Sequence, residues 1–197
     1  MTRFELLDEL VEKGNGYLLT YQVLEKGISK PTLADYVNKR NMERVAQGVY
    51  LVEDAWKDEL YILHLSNSRI IFSHETALFL HGLMEREPKD ISVTVRAGYN
   101  ASHLQKKGIR VYQVKPEIEE LGITDIQTNF GNTVRAYDME RTICDVIRYK
   151  EAMDVQVFQY AMKEYMGSTN KNLNHLMTYA KKLHIESAVR TYTEVML

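Results

Sequence analysis

The chain has 197 residues, of which 45% are hydrophobic and 26% are charged, and its formal net charge at pH 7 is -2. This length accommodates one large hydrophobic core or two smaller ones. The single cysteine, Cys144, excludes an internal disulfide, and no apolar run approaches the ~20 residues of a membrane span. Because the first residues do not resemble a signal peptide either, we expect a cytoplasmic protein with no membrane partner.

The N-terminal segment predicts an amphipathic helix. Apolar residues recur at helical spacing from Phe4 to Val11 with acidic residues between them, and Gly14-Asn15-Gly16 ends the pattern. Tyr17-Leu18-Leu19 then leads into the next segment. We expect the helix to complete the three-helix core of the module that follows.

The segment 20–52 predicts a winged helix-turn-helix. A short helix ends at Gly27, which can adopt the left-handed conformation that closes a helix. A second helix begins after Ser29 or Lys30, with Pro31 in its first turn. The β-branched and aromatic run after Gln47-Gly48 predicts a two-stranded ribbon. Helical hairpins with a ribbon also serve as protein-docking modules, so a protein-binding adaptor is an alternative function.

The second of these helices has the composition of a DNA-recognition helix. Leu33 and Val37 lie one turn apart and are expected to face inward, which leaves polar and basic side chains on the open face. From Lys26 to Gly48 basic residues outnumber acidic ones, although the whole chain is slightly negative, and this indicates polyanion binding. We predict phosphate contacts from Lys30, Lys39, Arg40 and Arg44, base contacts from Thr32, Asp35 and Tyr36, and further DNA contacts from Ser29 and Gln47.

Beyond the ribbon, the pattern predicts a connector and a second domain. Residues 54–65 have helical periodicity through Trp56, Leu60 and Leu63, and Ser66-Asn67-Ser68 breaks it. We therefore predict a DNA-binding domain over 1–54, a connector helix over 55–68 and a C-terminal domain over 69–197.

The second half predicts a small sheet followed by a helical tail, so the fold class is α+β: an N-terminal winged helix-turn-helix and a mixed α/β C-terminal domain. We predict a short strand at 69–72, a helix capped by Ser73 and ended by Gly82, strands at 91–95 and 109–114, a hairpin from 124–129 and 133–137 around Gly131-Asn132, and helices from Asp138 onward with breaks at 167–170 and near His184.

Three short motifs occur in order along the chain. They are Gly48-Val49-Tyr50 at the end of the ribbon, SHETALFLHGL from Ser73 to Leu83, and DMERTICD from Asp138 to Asp145. Together, over the chain from about Leu6 to Tyr149, they resemble the AbiEi family of antitoxins from the AbiE type of abortive-infection system, a type IV toxin-antitoxin system.

The resemblance implies a transcriptional autorepressor that binds DNA in the promoter of its own operon. Because one small helix cannot supply enough specificity, we expect two copies to bind inverted repeats of double-stranded DNA there. The resemblance also implies that the C-terminal domain is required for antitoxin activity. The toxin of this family is nucleotidyltransferase-like and is antagonised without a stable complex between the two proteins. No catalytic residue and no cofactor is implied. The sequence has no heptad repeat, so we expect a monomer that pairs on DNA.

Other residue constellations favour a metal or catalytic site less well. His74-Glu75 begins the pattern of a zinc protease, but Leu78 stands where the second histidine is required, and His74 with His81 lacks a third ligand. Glu87-Pro88-Lys89 has the spacing of a nuclease motif, yet its proline argues against the strand that carries such a motif. We predict no metal site and no enzyme, and a nuclease-like enzyme with a winged-helix targeting domain is an alternative function.

Two further groups of charged residues need an explanation. Arg141 and Asp145 are spaced for an ion pair across one turn of the helix that begins near Asp138, and the structural interpretation is that this helix packs on the sheet. Basic residues of the second half could extend the DNA contact, or bind an acidic partner, if the fold brings them to one face. They are Lys106, Lys107, Arg110, Arg135 and Arg148.

Overall fold

The computed structural model describes the backbone of residues 2–196 and the side chains of residues 2–194; Met1 and Leu197, where the predicted domains begin and end, lie outside this range. Helices and two small β-sheets make up the fold, which confirms the predicted α+β class. Within the described range, no helix is both long and apolar enough to cross a membrane.

The chain divides into two compact units. The first consists of Met1–Ser68 together with Gln127–Thr133, and the second of Arg69–Ile126 together with Val134–Leu197. The segment 55–68, predicted as a connector, therefore falls in the first unit. So does the tip of the hairpin, and no sequence pattern indicates that this tip belongs with the N-terminal part of the chain.

The first unit combines helices with a small antiparallel sheet. The predicted helices and ribbon are confirmed, except that the helix predicted over 55–68 covers only Glu59–Ser66. Tyr17–Leu19 forms a strand that the sequence pattern did not indicate. Its elements are α1 (Arg3–Lys13), β1 (Tyr17–Leu19), α2 (Thr20–Glu25), α3 (Lys30–Lys39), β2 (Glu43–Ala46), β3 (Val49–Leu51) and α4 (Glu59–Ser66). Strand β1 pairs with β3, with Tyr17 opposite Leu51, so the order of the three-stranded sheet is β1-β3-β2.

Local interactions account for the ends of these elements. A capping box at Thr2 begins α1, and the Ser29 side chain accepts from the backbone N–H of Thr32 at the start of α3. Gly48 has φ 74° in the turn between β2 and β3, a conformation that favours glycine. Its carbonyl accepts from the Thr20 amide at 2.8 Å, which ties this turn to the start of α2.

The second unit contains a mixed sheet and the helical tail. Its elements are β4 (Ile71–Phe72), α5 (His74–Leu80), β5 (Ser92–Arg96), α6 (Ser102–Gln105), β6 (Arg110–Val114), α7 (Pro116–Glu119), β7 (Ile123–Gln127), β8 (Thr133–Tyr137), α8 (Met139–Arg148), a 3-10 helix (Lys150–Ala152), α9 (Val155–Gly167), α10 (Leu173–Lys182) and α11 (Glu186–Met196). The predicted strands and hairpin are confirmed, and so is the tail with its two predicted breaks, but a further break that holds the 3-10 helix separates α8 from α9. The short helices α6 and α7 were not predicted. The strand order is β6-β5-β4-β8-β7, with β4 antiparallel to β5, β5 parallel to β6, and β4 parallel to β8.

Helix α8 lies in the core of the second unit. Every residue from Glu140 to Ile147 is buried, because α8 contacts α5, α9, α10 and α11. Arg141 donates from Nη1 to the carbonyls of Ile118 and Leu121 at 2.6 and 2.9 Å, and from Nε to Asp145 at 3.1 Å. The predicted packing role of this helix is confirmed, with helices as its main partners rather than the sheet.

Ser73 occupies the position before α5 but does not cap the helix. Its side chain makes no hydrogen bond to the helix backbone. The residue is completely buried, and its Oγ accepts from Thr94 Oγ1 at 2.8 Å and lies 3.0 Å from His74 Nδ1. The predicted cap at Ser73 is therefore wrong, because burial gives its hydroxyl other partners.

Candidate functional site

The exposed face of α3 differs from the predicted one. Pro31, Ala34, Asp35 and Asn38 are all exposed, and they recur at the spacing of one helix face. Leu33 faces the other way, into the core of the first unit. The surface that α3 presents thus consists of small and polar side chains, which leave the helix open to close approach by a partner.

Tyr36 belongs to the core and not to this face. It is 1% exposed, its hydroxyl donates to Asp8 Oδ1 at 2.6 Å, and its ring packs edge-on against Phe4 with the centroids 5.2 Å apart. Burial, with the bond to Asp8, raises the pKa of Tyr36 to about 12. The prediction that Tyr36 contacts bases is wrong. It stands three residues after Leu33, and residues at i and i+3 share a helix face just as residues at i and i+4 do.

The predicted phosphate-binding residues fall into two groups. Lys30 and Arg44 are exposed and form no ion pair within residues 2–194. Lys39 pairs with Asp35 of the same helix at 3.1 Å, and Arg40 pairs with Asp8 at 2.7 Å. Both pairs are exposed to solvent, where water screens the charges and such pairs are weak. A phosphate group can therefore compete for all of these cations.

The remaining predicted residues are divided between the helix start and the hairpin. Ser29 Oγ and Thr32 Oγ1 are 3.0 Å apart and bond to each other, so both hydroxyls serve the start of α3. Gln47 is exposed in the turn between β2 and β3. Asn38 was not predicted, although it lies two turns after Pro31 on the exposed face and that spacing could have identified it. Its amide offers the donor and acceptor with which asparagine binds adenine.

The basic residues of the second unit are not all available to a partner. Arg110 donates to Glu75 at 2.8 Å and to Asp90 at 3.2 Å, so its charge is balanced. Arg135 is partly buried in β8. The basic surface that the sequence suggested therefore lacks these two members. The members that are exposed and form no ion pair within residues 2–194 are Lys106 and Lys107 after α6 and Arg148 at the end of α8.

His74 is buried against aromatic rings in the second unit. Its imidazole is 2% exposed, stacks on Tyr112 with the ring centroids 3.5 Å apart, and meets the edge of Tyr149 at 5.1 Å. Burial lowers the pKa of His74 to about 3, so the ring is neutral at pH 7. Its backbone has φ 50°, in the left-handed region that residues with side chains adopt infrequently.

The histidine motif that suggested a metal or a catalytic site packs within the fold of the second unit. Ser73 and His74 are both shielded from solvent, and His81 bonds through Nε2 to the Tyr137 carbonyl at 2.7 Å. No group of three or more histidine, cysteine, aspartate or glutamate side chains in the described part of the chain could hold a metal ion. Residues 87–89, with the nuclease-like spacing, lie outside any helix or strand.

Acidification should destabilise the protein through His74. The unfolded chain takes up a proton at the ordinary histidine pKa of ~6.5, whereas the pKa in the folded state is lowered to about 3. Stability is therefore lost as the pH falls below ~6.5, by ~1.4 kcal/mol per pH unit. We expect wild type to lose about 1 kcal/mol more than His74→Asn between about pH 7 and 5.5, as measured by urea unfolding.

His184→Asn is the matched control for this variant. His184 has a similar left-handed backbone, with φ 58°, but an exposed side chain, and asparagine tolerates that conformation. Its unfolding should follow the wild-type dependence on pH. A His74→Asn variant that loses stability in acid as steeply as wild type would contradict the assignment to His74.

Comparisons with known proteins add information on the fold. Neither a family model nor a curated protein matches this chain. Among solved structures, the crystal structure of the RV2827C protein from Mycobacterium tuberculosis is similar, with a TM-score of 0.58 and 9% sequence identity, covering 93% of this chain and 75% of that chain. At this identity the similarity concerns the fold alone, and it extends over nearly all of this chain.

Proposed function

We propose that the protein is a cytoplasmic DNA-binding antitoxin that represses transcription of its own toxin-antitoxin operon. The observation that carries the DNA-binding part is the exposed face of α3, which combines Asn38 with basic side chains at both ends of the helix. The antitoxin part rests on the resemblance of Gly48-Val49-Tyr50, Ser73–Leu83 and Asp138–Asp145 to the AbiEi family.

The order of elements in the first unit supports a winged helix-turn-helix. Helices α2 and α3 are joined by a turn that contains Gly27, with φ 73°, and β2 and β3 form a hairpin directly after them. In helix-turn-helix proteins the second helix enters the major groove, where its exposed side chains contact base edges. In this proposal α3 is that helix, and Arg44 and Gln47 lie on the wing.

The proposed contacts divide into those that select a sequence and those that do not. Asn38 suits adenine, and Asp35 can accept from the amino group of cytosine. Asp35 also repels phosphate, which disfavours sites that lack a matching amino group and so adds to specificity. Phosphate contacts set affinity and orientation without selecting a sequence. We assign them to Lys30, Lys39, Arg40 and Arg44.

One recognition helix contacts too few base pairs to select an operator within a genome. We therefore propose that two copies bind an inverted repeat and that they pair on the DNA. Antagonism of a nucleotidyltransferase-like toxin, without a stable complex, is assigned to the second unit, again on the family resemblance. The proposal includes no enzymatic step and no cofactor.

Replacing Lys30 and Arg44 together by alanine should weaken binding to the promoter of the protein's own operon and flatten its salt dependence. Each phosphate contact that is lost removes ~0.9 from the slope of log K against log salt, so the double variant should lose about 1.8. These cations are chosen because neither is paired with a carboxylate within residues 2–194. Fluorescence anisotropy with a labelled promoter fragment, over a series of salt concentrations, measures affinity and slope together.

Two further variants make this test specific. The Lys181→Ala, Lys182→Ala double variant removes the same charge from an exposed part of the second unit, at the end of α10, and should keep the wild-type affinity and slope. Asn38→Ala should keep the slope but lose about 1–3 kcal/mol of preference for the promoter over unrelated DNA. If the first double variant bound like wild type, or if Asn38→Ala weakened both DNAs equally, α3 would not be the recognition helix.

A further inference from the structure

A cavity of about 640 Å³ lies in the second unit beside the start of α9 and the helix α11. Its apolar lining comes from Met153, Val155, Phe158 and Met162. Small-molecule sites typically have volumes of ~300–1,000 Å³ and combine hydrophobic and aromatic walls with a few polar groups. The proposed DNA contact and the resemblance to antitoxins use none of these residues.

The lining includes an apolar side chain that the fold leaves open to solvent. Val155 is 64% exposed. Within residues 2–194, no other large hydrophobic residue of the second unit is exposed. Phe158, one turn further along α9, packs edge-on against Tyr192 of α11 with the centroids 5.1 Å apart. An apolar occupant of the cavity would remove Val155 from water, which is favourable.

Lys150 and Tyr192 lie side by side among the polar residues of the lining, which also include Glu151, Gln159 and Thr191. The Lys150 ammonium donates to the Tyr192 hydroxyl at 3.0 Å, and this bond raises the pKa of Lys150. Because the Tyr192 oxygen accepts that bond, its own proton is available to another acceptor. An anion in the cavity would therefore meet a charged donor and a hydroxyl donor side by side, and hydrogen bonds of this charge-assisted kind are the stronger ones.

One carboxylate, that of Glu151, also borders the cavity. It lies 3.6 Å from Lys150 Nζ, but its side chain is 89% exposed. Water screens such a pair, so Glu151 holds the Lys150 ammonium only weakly. An anionic ligand can therefore displace Glu151 by a rotation of one exposed side chain.

We propose that this cavity binds an amphipathic organic anion, namely a medium-chain aliphatic carboxylate. Its carboxylate pairs with Lys150 and accepts from Tyr192, while its hydrocarbon chain contacts Phe158 and Met162. Met153 is unbranched and polarizable, and it can adapt to the shape of the chain. The site lies in the second unit, so DNA binding by the first unit can fail without affecting it, and the reverse also holds.

Isothermal titration calorimetry of the full chain with decanoate, below its micelle concentration, tests the proposal, with decanol and decyltrimethylammonium as matched probes. Decanoate should bind at one site, at least tenfold more tightly than either of the others. Lys150→Met keeps an unbranched side chain of similar length and removes its charge, so it should weaken decanoate at least tenfold and leave decanol unchanged. A charge-assisted hydrogen bond of ~1.5–3 kcal/mol corresponds to that factor.

Two variants control for folding and for charge. Lys163→Met removes an exposed lysine from α9, outside the cavity lining, and should bind decanoate like wild type. Gln159→Glu places a carboxylate in the lining at an exposed position, so it should weaken the binding of decanoate but not of decanol. This variant tests the proposed anion site even if Lys150→Met does not fold. The proposal is overturned if wild type does not bind decanoate, if decanol binds equally well, or if the Gln159→Glu and Lys150→Met variants, where folded, bind decanoate like wild type.

Discussion

Arg141→Leu should lower the free energy of unfolding by about 3–5 kcal/mol, the cost of leaving a buried charge without its partner. Arg141 and Asp145 are both buried, and their side chains are 3.1 Å apart. Water therefore cannot solvate the Asp145 carboxylate when the guanidinium of Arg141 is removed. The change also leaves the carbonyls of Ile118 and Leu121 without the Arg141 donor, which adds to the loss. Urea unfolding of the full chain, followed by circular dichroism, measures the effect.

The loss should be smaller in acid than at neutral pH. Burial raises the pKa of Asp145 to about 6 in the wild type, while Arg141 acts in the opposite direction. Without Arg141 that pKa rises further. A carboxyl group whose pKa is raised in the folded state stabilises the fold as the pH falls toward its ordinary value of ~3.9. The gap between Arg141→Leu and wild type should therefore narrow as the pH is lowered from about 7 to 5.

Two variants separate the ion pair from the other contacts. Arg148→Leu, on the same helix but exposed, should change stability by less than ~0.5 kcal/mol. Arg141→Leu combined with Asp145→Leu removes both charges, and should be more stable than Arg141→Leu because apolar groups can replace a buried pair at little cost. A double variant no more stable than the single one would show that the carbonyl bonds dominate.

The sequence was sufficient for helices and turns whose causes are local. Ser29 caps α3 through the amide of Thr32, three residues on, and Gly48 permits the turn between β2 and β3 by its own backbone conformation. Neither feature depends on a distant partner. The cations of α3 were also predictable, because a charged side chain at the end of a helix is exposed almost wherever the helix packs.

The sequence was insufficient where a buried polar group has a distant partner. Tyr36 was assigned to the open face of α3, but its hydroxyl bonds to Asp8 of another helix. Ser73 was assigned as a cap, but Thr94 of β5 bonds to its hydroxyl. Buried polar groups require partners, and no local pattern identifies a partner on another element. Asn38, in contrast, was missed although helix spacing alone could have placed it.

The tip of the hairpin between β7 and β8 is a third case of this kind. Asp58 is 1% exposed, and its carboxylate accepts from Thr128 Oγ1 at 2.5 Å, from Asn132 Nδ2 at 2.8 Å and from the Tyr61 amide at 3.0 Å. Asn15 donates to Asn132 Oδ1 at 3.1 Å. All of these groups belong to the first unit, which therefore depends on a segment distant in sequence for its buried polar contacts.

A fragment that ends at Ser68 should be much less stable than the first unit within the full chain. It lacks Gln127–Thr133 and so loses two hydrogen bonds to the Asp58 carboxylate, each contributing about 1.5–3 kcal/mol. A unit of this size has a total stability of only about 3–10 kcal/mol. Hydrogen exchange measured by mass spectrometry should show weaker protection of α1 and α3 in the fragment. Its affinity for the promoter should fall in proportion to the folded fraction.

Restoring the missing segment distinguishes this cause from a general effect of truncation. A second fragment, with residues 127–133 joined to Ser68 by a flexible linker, should recover part of the protection, and Asp58→Ala in that fragment should abolish the recovery. The linked fragment should then bind the promoter, whereas a fragment that begins at Arg69 should not bind it specifically. If the Ser68 fragment were as well protected as the full chain, the contacts of Asp58 with the hairpin tip would contribute nothing to the fold of the first unit.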